Sequence, residues 1–392
     1  MRPTGRSIAV MCVLMVGGVV AHLARETPVA AQGAVPLDAL KLPPGFKINI
    51  FAEGVTNARG MALGAKGTVF VGSMSARKVY ALVDKNGDGV ADEMKVIATN
   101  VPNPAGVAFR NGSLYYSSIT RIFRLDGIED HLDAPPPPVV VYDKLPNNGG
   151  HNWRYLAFGP DGLLYIGLGS PCNICEKELL ADPRLATISR INPDGTGFEI
   201  FAHGVRNSVG FDWHPVTHEM WFTDNGRDNL GDDIPSDELN VATKPGEHFG
   251  YPYCQQGDLV DPDVGKGHSC SEFMPPILKV GPHVAAIGMK FYTGSMFPPE
   301  YKNAIFVAQH GSWNRSQPIG YRVMVVKNDG HKVLDYQPFV DGLLRGIRGT
   351  ATANGATGNA YARPADTLVL KDGSLLISDD QGGRIFRVTY GK

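Results

Sequence analysis

The chain has 392 residues, of which 43% are hydrophobic and 19% charged, with a net charge of −2. That balance argues against a nucleic-acid partner, which needs a strongly basic face. A chain of this length buries a large core, and length alone suggests two or three ordinary domains.

The amino terminus reads as an export signal. Arg2 and Arg6 precede an apolar run from Ile8 to Ala21, and Val29-Ala30-Ala31 supplies small residues for cleavage after Ala31. The run is short for a spanning helix, and His22, Arg25 and Glu26 close it. An uncleaved anchor is the competing reading. Cys12 lacks the surroundings of a lipoprotein box, and no later stretch is long and apolar enough to span a bilayer. Loss of residues 1–31 removes Arg2, Arg6, Arg25 and Glu26 and takes the net charge from −2 to −4. The expected location is periplasmic or secreted.

From there the sequence repeats one phrase in different words. The phrase is an apolar strand, a Gly or Asn turn, a second apolar-aromatic strand, and a third strand. It begins at Gly60, Gly106, Tyr155, Val209, Ile287 and Ala365, roughly 45 to 85 residues apart. The strand pairs read as alternating apolar and polar, as half-buried strands do. Asn111-Gly112, Asp161-Gly162 and Asp372-Gly373 are two-residue hairpin turns. Six copies predict an all-β, six-bladed β-propeller, a single domain over residues 32–392. The early strand Gly45–Phe51 is then available to complete the last blade and close the ring. Residues 242–285 read as a loop-rich insertion between blades four and five, and Pro135–Pro138 as a stiff connector. A pair of β-sandwiches explains the strands but not the sixfold phrase.

Four cysteines follow the signal, and an even count in an exported chain predicts disulfides, with Cys172–Cys175 and Cys254–Cys270 the pairing favoured and the connectivity left open. The competing reading of Cys172-Asn173-Ile174-Cys175 is a redox or metal pair, without the βαβ context that such pairs keep. Glu176 stands where a haem attachment motif needs His, so electrons must leave to an external acceptor.

Chemistry concentrates in loops just before or after blade strands. His151 sits in Asn148-Gly149-Gly150-His151-Asn152-Trp153-Arg154, placed to project into the channel mouth as a base, or simply to satisfy loop carbonyls. Arg206, in Gly204-Val205-Arg206-Asn207, offers a fixed charge to an anionic oxygen, or makes an ordinary ion pair. Between Asp224 and Asn240 there are six carboxylates in 17 residues, which suits calcium or a solvated acidic loop. Asp84, Asn86, Asp88 and Asp92 place oxygens at positions 1, 3, 5 and 9 of an EF-hand-like loop, with Gly89 at 6. Lys95 stands where that loop needs Glu. His310-Gly311-Ser312-Trp313-Asn314-Arg315 and Arg363-Pro364-Ala365-Asp366 add polar groups at blade mouths.

Taken together, Gly150-His151, Phe158-Gly159-Pro160-Asp161-Gly162, Arg206-Asn207, Asp237-Glu238-Leu239-Asn240, Gly250-Tyr251-Pro252 and the closing Arg363 … Asp366 … Asp379-Asp380 resemble the soluble pyrroloquinoline quinone-dependent glucose/sorbosone dehydrogenases. The resemblance covers nearly all of the chain after residue 31. It implies pyrroloquinoline quinone and calcium as cofactors and a small sugar as substrate. It makes His151 the general base and sets Arg206 and Asn207 against the quinone oxygens. The carbonyls of Gly226 and Arg227 become ligands of a cofactor-bound calcium, Asp237 and Glu238 mark a second calcium region, and Arg363 pairs with cofactor carboxylates. His310, with Arg315 nearby, takes the place of the family's blade-five lysine. The sequence departs from the family at Gly169-Ser170, where the base lacks its carboxylate partner, and at Ala365, which replaces a second arginine. The Gly311–Arg315 run suggests a sorbosone dehydrogenase-like branch. A calcium-dependent lactonase and a propeller that only binds carbohydrate or protein are the competing functions.

Overall fold

Six sheets of four or five strands, most of them built from consecutive chain segments, account for nearly every strand among the described residues. The computed structural model describes residues 35–391 apart from 148, 353 and 354. The expected signal segment, residues 1–31, lies outside the described residues. Among the described residues no helix is long and apolar enough to cross a membrane.

Blade one comprises Ala58–Leu63, Val69–Ser73, Val79–Val83 and Glu93–Ala98. Blade two comprises Val107–Arg110, Ser113–Ser117, Ile122–Leu125 and Val139–Tyr142. Blade three runs Leu156–Phe158, Leu164–Leu168, Thr187–Ile191 and Glu199–His203, and blade four Phe211–Trp213, Met220–Asp224, Ser236–Ala242 and Leu278–Pro282. Blade five is Ala286–Phe291, Ile305–Gln309, Arg322–Asn328 and Val333–Val340. Blade six takes Pro364–Val369, Leu375–Asp379 and Arg384–Tyr390 from the carboxyl terminus and Phe46–Glu53 from the other end of the chain. This is the expected six-bladed propeller with the expected closure.

The glycines that open several repeats have a packing reason. A Cβ at Gly106 would meet the carbonyl oxygen of Arg154 at 2.0 Å, and one at Gly210 the carbonyl of Ile287 at 2.2 Å. The innermost strands thus approach the chain of the next blade too closely for any side chain.

The predicted alternation of burial is absent from the second strands. Val69–Ser73, Leu164–Leu168, Met220–Asp224, Ile305–Gln309 and Leu375–Asp379 are buried throughout. Each blade packs against a neighbour on both faces, so its middle is dry on both sides, as in sheets covered by helices. Alternation survives at the rim, where Glu93–Ala98 is still partly wet.

The inserted segment also lies elsewhere than expected. Residues 243–277 interrupt blade four between its third and fourth strands, and Leu278–Pro282, inside the predicted insertion, is that fourth strand. Within the segment Glu247–His248 adds a parallel edge to blade three, and Cys254–Cys270 forms the predicted disulfide. A hairpin of Leu344–Thr352 and Gly355–Ala360, which the repeat pattern does not predict, joins blades five and six.

Closure rests on apolar contact as well as on the ladder from Phe46↔Tyr390 to Glu53↔Arg384. The Phe46 ring meets Phe297, Tyr301, Phe339 and Tyr390 edge-on, with centroids 4.8–5.1 Å apart. Phe46→Ala is expected to cost about 3 kcal/mol of stability. Thermal melting checks this, and an unchanged midpoint would mean the ring is closed without that strand.

Candidate functional site

In every blade the first strand starts, and the second strand ends, at the same end of the molecule, because the two are antiparallel. Loops from different blades therefore converge there around a cavity of about 420 Å³. His151 and Trp153 enter it from the start of blade three, Arg206 and Asn207 from the start of blade four, and Arg363 from the start of blade six. Gly226, Asp228 and Asp237 line it from blade four, and His310 and Asn314 from the loop after the second strand of blade five.

The geometry decides which His151 nitrogen carries the proton. Nδ1 lies 2.8 Å from the Ser170 carbonyl and 3.1 Å from Ser170 Oγ. Ser170 Oγ already donates its hydrogen to the Cys172 carbonyl at 2.8 Å, so both groups facing Nδ1 accept. Nδ1 is the protonated nitrogen, and the lone pair is on Nε2. Ser170 thus orients the ring where a carboxylate was expected and found missing. Burial, with help from the Arg206 charge, lowers the His151 pKa to about 4.

Arg206 is 3% exposed, and all three of its nitrogens are engaged. Nη1 donates to the carbonyls of Gly226 at 2.8 Å and Asn225 at 3.2 Å, Nη2 to Asp228 at 3.1 Å and Asn173 Oδ1 at 2.9 Å, and Nε to the Asn173 carbonyl at 3.2 Å. Its backbone N–H and that of Asn207 both donate to Asp224, at 2.8 and 2.6 Å.

His310 Nε2 lies 2.9–3.0 Å from both oxygens of Asp380. Burial alone would raise the Asp380 pKa, but His310, Arg59 and Arg363 hold it well below the carboxylate range. An ionised carboxylate only accepts, so His310 keeps its hydrogen on Nε2, and burial lowers its pKa to about 4. Arg59, whose Nε is 3.2 Å from Asp380, lies over the Trp153 ring at 5.1 Å. Arg363 donates to the carbonyls of His310 and Gly311 at 3.1 and 3.0 Å.

Other expected ligands separate. Asp237 and Glu238 are consecutive in a strand and point to opposite faces. Asp237 turns to the cavity and accepts from Gly226 and Ala286 N–H at 3.0 and 3.3 Å. Glu238 instead joins Asp224, its cross-strand partner, and Asn240, whose Nδ2 it accepts at 2.9 Å. Burial raises the pKa of Asp224 and of Asp237 to about 7, and that of Glu238, with the Asp224 charge adding to burial, to about 8. Asn240 Oδ1 is buried there without a hydrogen-bond partner. Two carboxylates and an orphaned amide oxygen are the donor chemistry of a hard cation site.

The Arg227 guanidinium leaves the cavity to pair with Asp261 at 2.8 Å and Asp263 at 2.9 Å. Arg315, expected near the cofactor, does not line the cavity. Its side chain donates to the Asp232 carbonyl and lies 3.6 Å from Asp233. Asp84, Asn86, Asp88 and Asp92 share one loop between the third and fourth strands of blade one, at the end opposite the cavity. Their oxygens accept N–H groups of that same loop: Asp84 from Gly87 and Gly89, Asn86 from Asp88, Asp88 from Val90, and Asp92 from Lys85.

Arg59, Asn173, Asp228, His283 and Asp380 were not predicted as site residues. Asp380 and Asp228 carried a signal, the first within the closing part of the resemblance and the second within the acidic run from Asp224 to Asn240. His283 enters from the start of blade five, with Nε2 2.9 and 3.0 Å from the carbonyls of Gly231 and Ile234.

A family model described as TrAA12-like matches residues 40–391. An uncharacterized protein of Borreliella burgdorferi is 34% identical over 90% of this chain and 91% of its own length. A pyrroloquinoline quinone-dependent pyranose dehydrogenase of Coprinopsis cinerea is 23% identical over 92% of this chain, which spans 56% of that protein's length. The holo form of its PQQ domain superposes with a TM-score of 0.73 at 20% identity, over 89% of this chain and 97% of that one. The calcium structure of a Trichoderma reesei Carbohydrate-Active Enzymes Family AA12 protein gives a TM-score of 0.75 at 20% identity, over 92% and 100%.

Proposed function

The chain belongs to the TrAA12-like family, and on that premise we propose that it is an exported quinoprotein oxidoreductase. It oxidises an aldose or a sugar-derived aldehyde, in the manner of the sorbosone dehydrogenases, and passes the electrons to an external acceptor. The observation that supports this best is the meeting, in one cavity, of an imidazole with its lone pair on Nε2 and a fully engaged guanidinium from the adjacent blade.

The cavity suits a flat tricarboxylate held together with a divalent cation. Arg59, Arg206 and Arg363 supply fixed positive charge. Asn314 Oδ1 is a buried oxygen without a partner, and Gly226 and Asp237 face the same space with oxygens of the kind calcium prefers. Asn207 and Arg363 would hold pyrroloquinoline quinone with the Arg206 charge beside it, and Asp237 and the carbonyls of Gly226 and Arg227 would hold calcium. His310, expected as a cofactor contact, gives its one N–H to Asp380 and has no donor left for a carboxylate. When bound, the quinone supplies a carbonyl carbon that accepts hydride. His151 Nε2 takes the hydroxyl proton of the sugar, and Ser170 holds the ring in the tautomer that permits it. The fixed charge of Arg206 favours negative charge growing on an oxygen beside it.

The test is reconstitution with pyrroloquinoline quinone and calcium, followed by dye reduction with a panel of aldoses. Quinone-dependent dye reduction supports the reading. Absence of quinone binding at micromolar concentration moves it to a sugar-binding propeller, and lactone hydrolysis without dye reduction to a calcium-dependent hydrolase.

Calcium has a separate signature. Carboxylates raised in the folded state stabilise it below their unfolded pKa, and that stability is lost as pH rises through the folded values. For Asp224, Asp237 and Glu238 those values are about 7, 7 and 8. A cation offsets the exposed repulsion, so chelation is expected to lower the melting temperature more at pH 8 than at pH 6. Equal shifts at the two pH values would place the cation elsewhere.

A further inference from the structure

The loop from the second to the third strand of blade three reaches both principal groups of the site. Its Ser170 sets the His151 ring, and three residues later Asn173 grips Arg206 twice, through its carbonyl at 3.2 Å and its Oδ1 at 2.9 Å. The same Oδ1 accepts the Asp228 N–H at 2.7 Å, Asn173 Nδ2 donates to the Asp228 carbonyl at 3.0 Å, and Tyr251 donates its hydroxyl to the Asn173 carbonyl at 3.2 Å. Asn173 is therefore the hub that ties Arg206 to the blade-four loop.

That hub lies inside the shorter of the two disulfide loops among the described residues. Cys172 and Cys175 are disulfide-bonded, with Cα atoms 5.7 Å apart. Cys172 is exposed, whereas Cys175 is 1% exposed. The Cys172 carbonyl also accepts the Ser170 hydroxyl, so the ring bears on His151 as well as on Arg206.

We propose that Asn173 is a positioning residue for Arg206, and that the Cys172–Cys175 disulfide is a redox-sensitive latch that holds Asn173 in place. The inference rests on the reading of the cavity given above. A dithiol reductant opens the latch. One of its thiolates attacks the exposed Cys172 sulfur and breaks the Cys172–Cys175 bond, and its second thiol then displaces Cys172. The two cysteines gain two electrons and two protons, and the reductant leaves as a disulfide. Without the ring the Asn173 backbone regains its freedom, and the guanidinium loses two of its acceptors together.

The experiment compares the full-length protein with Asn173→Ala, Asn173→Asp and a Cys172→Ser/Cys175→Ser double variant, which leaves Cys254–Cys270 intact. Two properties of the apo-protein are measured. The first is pyrroloquinoline quinone affinity, from quenching of tryptophan fluorescence, since Trp153 and Trp313 line the cavity. The second is the titration midpoint of the His151 ring by NMR, which burial depresses and the neighbouring Arg206 charge depresses further. Asn173→Ala and the double variant are expected to weaken quinone binding at least tenfold and to raise the His151 midpoint. Asn173→Asp, which keeps the acceptor for Arg206 but loses the Nδ2 bond to Asp228, is expected to retain more quinone affinity than Asn173→Ala and a lower His151 midpoint. Dithiothreitol treatment of the parent, with the reduced cysteines mapped by alkylation, reproduces the double variant and reverses on reoxidation. A fall in melting temperature with no change in either property overturns the proposal and makes the loop merely structural. If the parent binds no quinone, the cofactor reading fails by itself, and the His151 midpoint still decides the latch.

Discussion

Replacing His151 with alanine is expected to leave a folded protein whose kcat, with quinone and calcium supplied, falls by about 10²–10⁴-fold, the usual contribution of a positioned base. His151 is partly buried, and among the described residues its side chain bonds to Ser170, so its loss removes little packing. Quinone affinity, read by fluorescence, should therefore change far less than kcat. The pH profile gives a second reading of the same residue. With the His151 pKa lowered to about 4, the imidazole is neutral and able to accept a proton throughout the range above it. The acid limb of activity should fall near pH 4 to 5, well below the 6.5 of an ordinary histidine. Stability carries the matching sign. A histidine depressed in the fold leaves the unfolded chain binding more protons between about pH 4 and 6.5, so His151 contributes a loss of stability as pH drops through that window. A His151→Ala variant that turns over at the parent rate would remove the base from the mechanism.

The second large effect is expected at Arg206. Arg206→Ala should lower kcat by about 10²–10³-fold, because the fixed charge beside a developing anion is lost although every guanidinium N–H already serves the protein. It should also destabilise the protein by about 2 kcal/mol, because the half-buried Asp228 carboxylate and buried carbonyls lose a charged donor. Asp228 and the carbonyls of Asn173, Asn225 and Gly226 all lose the same donor. Arg206→Lys is not a mild change here. A single ammonium cannot face Gly226 on one edge and Asn173 on the other as the planar fork does. Arg206→Lys is expected to retain the charge while losing most of the turnover. Denaturant melts and kinetics on the same samples separate the two effects. A lysine variant with parental turnover would show that charge alone is needed.

Much of the site was legible because propeller repeats place their chemistry in regular positions. Once Tyr155 and Val209 were read as strand starts, His151 and Arg206 had to lie in the loops just before them, at one end of the axis. The fate of the base's missing partner was not legible. Nothing in Gly169-Ser170 announces that a carbonyl and a hydroxyl will both accept from Nδ1, because that depends on how the loop folds back over His151. Asp237 and Glu238 looked like one ligand pair as neighbours in the chain, and strand geometry sends them to opposite faces. Arg315 looked like a cofactor contact because it follows His310 so closely, yet its loop carries it to Asp232.

The sequence alone determined the number of blades, the strand that closes the ring and the loops that face the channel, and an even cysteine count announced disulfides whose pairing the structure decided. The blades, closure and loops follow from local periodicity and turn chemistry, which short segments encode by themselves. Tertiary structure decided which groups meet: Asp380 of blade six with His310 of blade five and Arg59 of blade one, and Asn173 of blade three with Arg206 before blade four. It also dried both faces of the second strand in five of the six blades. The reason is the ring itself, since closure brings the two chain ends into one sheet and sets side chains from distant blades around a common axis. No pattern within a single repeat records that convergence.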